Sequence, residues 1–488
     1  MAYKILLINP PVPDEKVWVR EGRCQQWDIW GAPFPPFSLA MISTQLVNQG
    51  FSFETRIIDS GPEGKNSARV LQESKDFAPN IIFLATTSPT LQTDLGWFAV
   101  ELKKILPLAK IAAIGIHVTA LPQPVLKRYP ALDFAIVGEP EIISNHLVNA
   151  LLKGTSLAAV KGIAYREESG SIHLNSPEGF VAEIDTLGFP DWTKIHFKNY
   201  LLPIIKRPFS LISFSRGCPY SCKFCATHVY NGSKLRKRSI PSLLEEIRYN
   251  MTFGVKDFLF WTELMTADTA YLDSFLDALL REGLHHKIRW VCNSRVDLVT
   301  KDLLRKMKEA GCWQIAFGFE FGDDRILQLA RKGGHATTKQ GRLVAEMTEQ
   351  AGIAVDGHFM MGYPGETPET LQATIDYACS LPITFAHFYA AVPFPGAPLY
   401  EESIANGWLD PDALELLTQD TASLSTESLG RGMVDQYLKK AYRSFYRNPR
   451  VIARIYKIPK TFKEFVEVTR MGFRFYKTVK KTTPTAGD

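Results

Sequence analysis

The chain has 488 residues, is 45% hydrophobic and 22% charged, and carries a formal net charge of +5, a globular composition that excludes a disordered or fibrous protein. No stretch approaches the ~20 uninterrupted apolar residues of a membrane span. Seven cysteines, an odd number with three in one short loop, argue against a secreted disulfide scaffold and for a reducing, cytoplasmic setting.

Residues 4–9 form an apolar run too short for a signal peptide and broken at Pro10, so they read as a first strand. A helical spacing of Leu39, Ile42, Leu46 and Val47 follows, ending at Gly50. Residues 53–59 and 80–86 read as strands, 95–105 as a helix, and 110–115 and 132–137 as two more strands. Short apolar runs that alternate with amphipathic helices predict a parallel sheet covered on both faces. Residues 1–155 are therefore an α/β, doubly wound, Rossmann-like domain, with a ligand expected at the carboxyl ends of its strands. The loops there carry Thr87, Ser88, His117, Gly138 and Glu139. No G-x-G-x-x-G follows the first strand, so a dinucleotide is not the expected ligand. Cys24, in the loop at 20–26, is a further candidate facing the cleft.

Residues 156–204 read as a linker with a small hairpin around Glu168-Ser169-Gly170. From 205 to 400 six strands alternate with helices: 210–215, 257–261, 288–294, 313–319, 355–361 and 384–392. Six such units predict a partial (β/α)6 barrel with its chemistry on the loops at the strand carboxyl ends. Residues 401–488 lose strand character, with helices expected at 411–418 and 433–447. Charge concentrates here. Residues 431–488 hold 15 Lys and Arg against four Asp and Glu, or +11, which leaves the other 430 residues at −6.

The first barrel strand runs into Cys218-Pro219-Tyr220-Ser221-Cys222-Lys223-Phe224-Cys225, a C-x3-C-x2-C spacing. Three thiolates in one loop can hold three irons of a [4Fe–4S] cluster and leave the fourth open to a small ligand. A zinc site completed by His228 is the competing reading. Zinc sites usually combine two ligand pairs across a longer span, and a strand-to-helix loop suits a barrel mouth better.

This spacing, with an aromatic before the last Cys, is the signature of the radical S-adenosylmethionine (SAM) enzymes. The loops at 115–122 and 137–141 resemble the cobalamin domain that precedes the barrel in the B12-dependent branch of that superfamily, in the order the branch uses. The resemblance covers roughly residues 1–400 and implies three cofactors: the cluster on Cys218, Cys222 and Cys225, SAM chelated to its open iron, and cobalamin. Many cobalamin domains carry a His after the first strand as a cobalt ligand. That loop here, Pro10-Pro11-Val12-Pro13-Asp14-Glu15, has none; His117 is the nearest substitute, but it reads as shaping the pocket, with no protein His on cobalt.

Strand alternation puts Gln314, Ala316, Gly318 and Glu320 on one face, with Glu320 at its end where it would accept hydrogen bonds from SAM. Asn293 and Arg295 share a face, and Arg295 would pair with the SAM carboxylate. Residues 360–367 resemble the Gly-Pro-Gly-Glu-Thr turn of the superfamily, with Gly362 allowing backbone approach to a ligand. The same turn also reads as a helix start, with Thr367 as N-cap. Glu263 stands where relatives often have an Asp-Glu pair, with Thr262 in place of the first acid.

The implied reaction is methyl transfer to an unactivated carbon of a small or lipophilic metabolite through a 5′-deoxyadenosyl radical, methylcobalamin supplying the methyl group. The alternative is radical oxidative cyclisation of a tetrapyrrole or lipid, as in the anaerobic cyclases of chlorophyll synthesis. RNA modification is disfavoured because no RNA-binding module is appended, so no nucleic-acid partner is expected. An electron donor such as flavodoxin or ferredoxin is implied. The basic, aromatic tail reads either as a helical cap on the barrel or as a peripheral membrane contact.

Overall fold

The structure, a computed structural model, describes residues 2–12, 18–21, 24–27, 33–47, 53–202, 205–331, 336–410 and 417–481. The chain opens with β1 (Tyr3–Asn9) and a hairpin of β2 (Trp18–Glu21) and β3 (Cys24–Trp27). It continues through β4 (Phe53–Asp59), β5 (Ile81–Ala85), β6 (Lys110–Ile114), β7 (Phe134–Ile136), β8 (Ile163–Arg166) and β9 (Ile172–Leu174). Seven of these form one sheet in the order β4-β1-β5-β6-β7-β8-β9. The first five are parallel, and β8 and β9 add on antiparallel.

The order of the parallel strands reverses between β1 and β5, which makes their carboxyl ends a topological switch point where ligands bind. Ile5–Ile8 and Ile81–Leu84 are wholly buried because helices cover both faces. Two expectations change here. The loop expected at residues 20–26 is the hairpin β2–β3, and the Cys24 side chain lies outside the described part of the structure. The hairpin expected in the segment 156–204 is the antiparallel edge of the first sheet, so that sheet continues past residue 155. Ile163 and Ala164 are buried against it.

The second sheet is all parallel, in the order β10 (Phe209–Ser213), β13 (Asp257–Trp261), β14 (Arg289–Arg295), β15 (Cys312–Glu320), β16 (Ala354–Met361) and β17 (Phe385–Ala390). All six expected strands are present. Between β10 and β13 a two-stranded ribbon pairs β11 (Ser215–Arg216) with β12 (Arg236–Lys237).

The edge of β17 is covered by the helix Arg431–Tyr446. Tyr442 and Tyr446 accept hydrogen bonds from the Phe388 and Ala386 amides, and the Tyr446 hydroxyl donates to the Ala386 carbonyl. Tail residues beyond this helix also dock. Val451 and Val468 are buried, and Glu464 pairs with Arg207. Phe462 and Phe465 are exposed. The helix expected at 411–418 falls mostly outside the described residues. Among the described residues no helix is long and apolar enough to cross a membrane.

Candidate functional site

The cysteine loop leaves β11 through Gly217, whose φ is +87°. A Cβ there would sit 2.2 Å from the Lys234 carbonyl oxygen, so only glycine lets the chain turn. The loop is then tied down at several points. The Gly217 amide donates to Glu263 Oε2 (3.1 Å) and the Cys218 amide to the Gly232 carbonyl (3.2 Å). The Lys223 amide donates to the Ala330 carbonyl, and the Leu399 amide to the Lys223 carbonyl. Cys218, Cys222 and Cys225 are half-buried and outside any disulfide. Their loop fits a cluster held by three thiolates. His228, the fourth ligand of the zinc reading, has its Nε2 on the Cys218 carbonyl oxygen at 2.8 Å.

The expected cofactor residues fall into two groups. Glu320 and Arg295 lie at the carboxyl ends of β15 and β14, on the side of the cysteine loop. Glu320 adopts φ +64°, with a register shift beside it. A left-handed backbone costs a residue with a Cβ roughly 1–2 kcal/mol, and such strain gathers at functional sites. Arg295 stacks 4.0 Å from the Tyr220 ring centre and brings Nη1 to 4.0 Å from Cys222 Sγ, while Nε and Nη2 grip Asp297 at 2.9 and 3.0 Å. Its guanidinium therefore faces the loop as a positive charge already fixed in direction by Asp297.

Asn293 and Glu263 are tied to the neighbouring loops. Asn293 Nδ2 donates to the Thr262 and Glu263 carbonyls, at 2.9 and 3.0 Å. Glu263 accepts from Gly217 through one oxygen and from Asn231 Nδ2 through the other, so both its oxygens brace the cysteine loop. At Gly362 the space a side chain would fill is occupied by Val434, with a contact of 2.8 Å, so this glycine makes room for the C-terminal helix. Buried Glu366 accepts from the Gly362 and Tyr363 amides at 2.7 and 2.9 Å, and burial pushes its carboxyl up to about 8. Thr367 caps the helix Pro368–Ser380.

Across from this loop lie the strand ends of the first sheet. Gly115 has φ +141°, and a Cβ there would meet the Thr86 carbonyl oxygen at 2.2 Å, so β5 and β6 end in contact. Thr87 and Thr90 close a capping box, with their hydroxyls 2.9 Å apart. His117 is buried with Nδ1 2.9 Å from Ser88 Oγ, and its Nε2 has no hydrogen-bond partner. Burial lowers its pKa to about 3, so the ring is neutral. The Gly138 amide donates to Thr119 Oγ1.

Glu139 is engaged across the gap, which a cofactor-binding role does not predict. It takes a bidentate grip from Arg236 (3.0 and 2.7 Å) and pairs with Arg216 at 3.2 Å. Arg216 also pairs with Glu141 at 2.6 Å. Burial alone would raise the Glu139 carboxyl, but the two guanidiniums hold it below the usual range. Arg216 immediately precedes Gly217 and Cys218, so the first sheet is ion-locked to the cysteine loop. Arg20, Ser38, Thr86, Thr87 and Gly115 of the first sheet's side and Tyr230 from the helix Thr227–Asn231 line a small cleft at this junction. Residues of both regions thus meet at the switch point, where ligands bind in open α/β sheets.

Sequence reasoning missed Asp297, Tyr220, Arg216 and Arg236. The first two sit two residues from a named candidate, where a bidentate partner or stacked ring is a local possibility. The arginine pairs are long-range, and no spacing announces them.

Residues 212–378 match the Radical SAM superfamily. An uncharacterized methyltransferase of Pyrococcus horikoshii is 28% identical over 450 residues, covering 92% of this chain and 94% of that protein. An anaerobic magnesium-protoporphyrin IX monomethyl ester cyclase of Cereibacter sphaeroides is 24% identical over 85% of this chain and 67% of its own length. The radical S-adenosylmethionine methyltransferase TsrM from Kitasatospora setae, solved with cobalamin and a [4Fe–4S] cluster bound, superposes with a TM-score of 0.66 at 18% identity. That match covers 84% of this chain and 76% of TsrM, and the likeness is one of fold.

Proposed function

We propose that this chain, a radical SAM enzyme by its domain at residues 212–378, is cobalamin-dependent and C-methylates an unactivated carbon of a small or lipophilic metabolite. The observation that carries this reading is the meeting of two strand-end faces. The switch point of the first sheet abuts the cysteine loop of the second, locked by Arg216 and Arg236 on Glu139 and Glu141. A cofactor held at one face would then be presented to one held at the other.

Bound together, the cluster and SAM supply a 5′-deoxyadenosyl radical, and cobalamin supplies a transferable methyl group. The chain's part is to hold and to orient. Cys218, Cys222 and Cys225 ligate the cluster, and Glu263 and His228 fix their loop from behind. Arg295, aimed by Asp297, presents a cation beside Cys222 for the SAM carboxylate. Glu320 accepts from the SAM amine or ribose. Thr87, Ser88 and Gly138 shape the corrin side of the cleft, and His117 packs there without ligating cobalt. Tyr230 and the buried arginine pairs keep water out of the junction. The six parallel strands act as a partial (β/α)6 barrel around the substrate, an electron donor such as a flavodoxin or ferredoxin delivers the electron, and the setting is cytoplasmic.

A second reading, radical oxidative cyclisation, is favoured by the cyclase relative, which spans 85% of this chain. The stoichiometry of SAM products separates the two. Anaerobic protein with cobalamin, reductant and SAM should form S-adenosylhomocysteine together with 5′-deoxyadenosine during methylation. Deoxyadenosine formed on substrate without S-adenosylhomocysteine would establish the cyclase reading. Failure to retain cobalamin on gel filtration would overturn the B12 assignment.

A further inference from the structure

β16 and β17 pair in parallel with His358 opposite His387. Their alternate residues divide cleanly. Phe359 packs on Phe319, Phe388 and Tyr377, and Phe388 on Tyr442 and Phe445, so these face the helices. Asp356, His358, His387 and Tyr389 face the other way, into the interior of the sheet's curve. There Asp356 pairs laterally with Ala316 and His358 with Gly318 of β15, two residues too small to fill the space.

Three donor atoms converge in that space. His387 Nε2 lies 3.5 Å and His358 Nε2 3.8 Å from Asp356 Oδ2, and one ligand atom from each residue lies within 4.8 Å of the others. Those separations are long for hydrogen bonds. They match the edge of a coordination polyhedron: with ligands about 2.1 Å from a central ion, tetrahedral edges are about 3.4 Å.

The surroundings are built around the three. Asp356 is 7% exposed, and its Oδ1 is buried with no hydrogen-bond partner. Gln314 Nε2 donates to Oδ2 at 3.2 Å. The Tyr389 hydroxyl lies 3.4 Å from His358 Nδ1, the outer contact that fixes an imidazole so its other nitrogen faces a metal.

We propose that Asp356, His358 and His387 form a mononuclear site for a divalent transition-metal ion inside the second sheet. Two imidazoles and one carboxylate suit Zn2+ or Fe2+, and three protein ligands leave a position open. His358 and His387 are only partly covered, which leaves room for a further ligand. An oxygen anion of the substrate, a carboxylate or phosphate, would occupy it and be held by the ion. The site is separate from the cysteine loop. Asp356 lies six residues before Gly362 at the end of β16, about 20 Å along an extended strand. An ion there would grip the substrate from below and leave its reacting carbon at the rim. The inference stands on these side chains alone and does not depend on cobalamin.

The test uses the full-length chain with Cys218, Cys222 and Cys225 all changed to Ala, so that the cluster thiols take no metal. Dialysed against Zn2+ and then buffer, it should retain one zinc per chain by elemental analysis. Adding His387→Ala should weaken zinc binding at least 100-fold, and Asp356→Asn at least tenfold. Zinc should raise the melting temperature of the parent and not of the His387→Ala protein. X-ray absorption on the zinc-loaded parent needs no further variant: a shell of two imidazole nitrogens with oxygen is expected. No bound metal, a sulfur-containing shell, or zinc retained equally by the His358→Ala and His387→Ala proteins would overturn the assignment.

Discussion

In the first sheet the strands β1, β5 and β6 are apolar from Ile5 to Ile8, Ile81 to Ala85 and Ile111 to Ile114, and polar groups begin only beyond their ends. Those groups close on one another: Arg20 on Asp94, Asp94 on Thr90, Tyr200 on Asp59 and Ser38 on Glu21. In the second sheet polar side chains enter the strands themselves, at Gln314, Asp356, His358 and His387, and the cysteine loop follows the first of them. A sheet sandwiched between helices has no room for polar groups except at its rim. The second sheet carries them along one face of β15, β16 and β17. The first sheet is thus a platform with its polar groups at the rim, and the second a vessel with polar groups along its strands.

The comparison breaks most sharply at the cysteine loop. Anaerobically purified protein should be brown with about four irons per chain. Changing Cys222 to Ala should remove the cluster and with it all SAM cleavage, while the first sheet keeps its fold, as iron analysis and circular dichroism would report. A colourless protein with one tightly bound zinc that disappears with Cys222 would place the vessel's chemistry in another class.

The joint between platform and vessel comes next. Glu139→Ala leaves two buried guanidiniums short of a partner, and breaking a buried pair costs about 3–5 kcal/mol. Urea denaturation should show that loss, whereas Glu101→Ala, on an exposed helix pair, should change stability by less than about 1 kcal/mol.

A pH titration sharpens the contrast from the platform's side. Burial lifts the carboxyls of Glu21 to about 8 and Asp59 to about 7. A carboxyl with a raised native pKa binds its proton more tightly in the folded state, so stability is lost as pH rises from about 4.5 to 8. The Glu21→Gln, Asp59→Asn protein should lose less stability over that interval, by a difference on the order of a few kcal/mol at about 1.4 per pK unit. Parallel curves for the two proteins would show that these groups ionise normally.

The smallest effect is expected at Glu320. Glu320→Gly relieves the left-handed strain and should leave stability unchanged or raise it by up to about 1 kcal/mol, while SAM binding by calorimetry weakens at least tenfold. Lower stability with unchanged SAM affinity would make the residue a plain part of the vessel wall.

Much of this division is legible in the sequence. The apolar runs at 4–9 and 80–86 announce buried parallel strands, and the spacing of Cys218, Cys222 and Cys225 announces three thiols gathered in one loop. The alternation in β15 places Glu320 at a strand end before any coordinates. What sequence does not convey is partnership across distance. Glu139 looks available for a ligand until Arg216 and Arg236, some 77 and 97 positions later, fold onto it. Arg295 looks free to swing until Asp297, two residues away, turns out to fix its direction. Gly362 looks like room for a ligand until Val434 fills it. The hairpin β8–β9 has strand character but no sign of which sheet it joins, since its neighbour β7 lies beyond a 14-residue helix, Pro140–Lys153.

The phenol-capped edge of β17 has a consequence for how such a chain diversifies. A neighbouring strand would impose a register, with every second residue committed to one face. Tyr442 and Tyr446 impose only a distance, four residues apart on one helix face. The spacing between them is fixed, and Val434 and Phe445 pack inward on the same helix, so only its outward face is free to change its chemistry while the sheet stays whole. The exposed positions of the C-terminal segment, Phe462 and Phe465 among them, are therefore where this molecule's surface can be rewritten without rebuilding what lies inside.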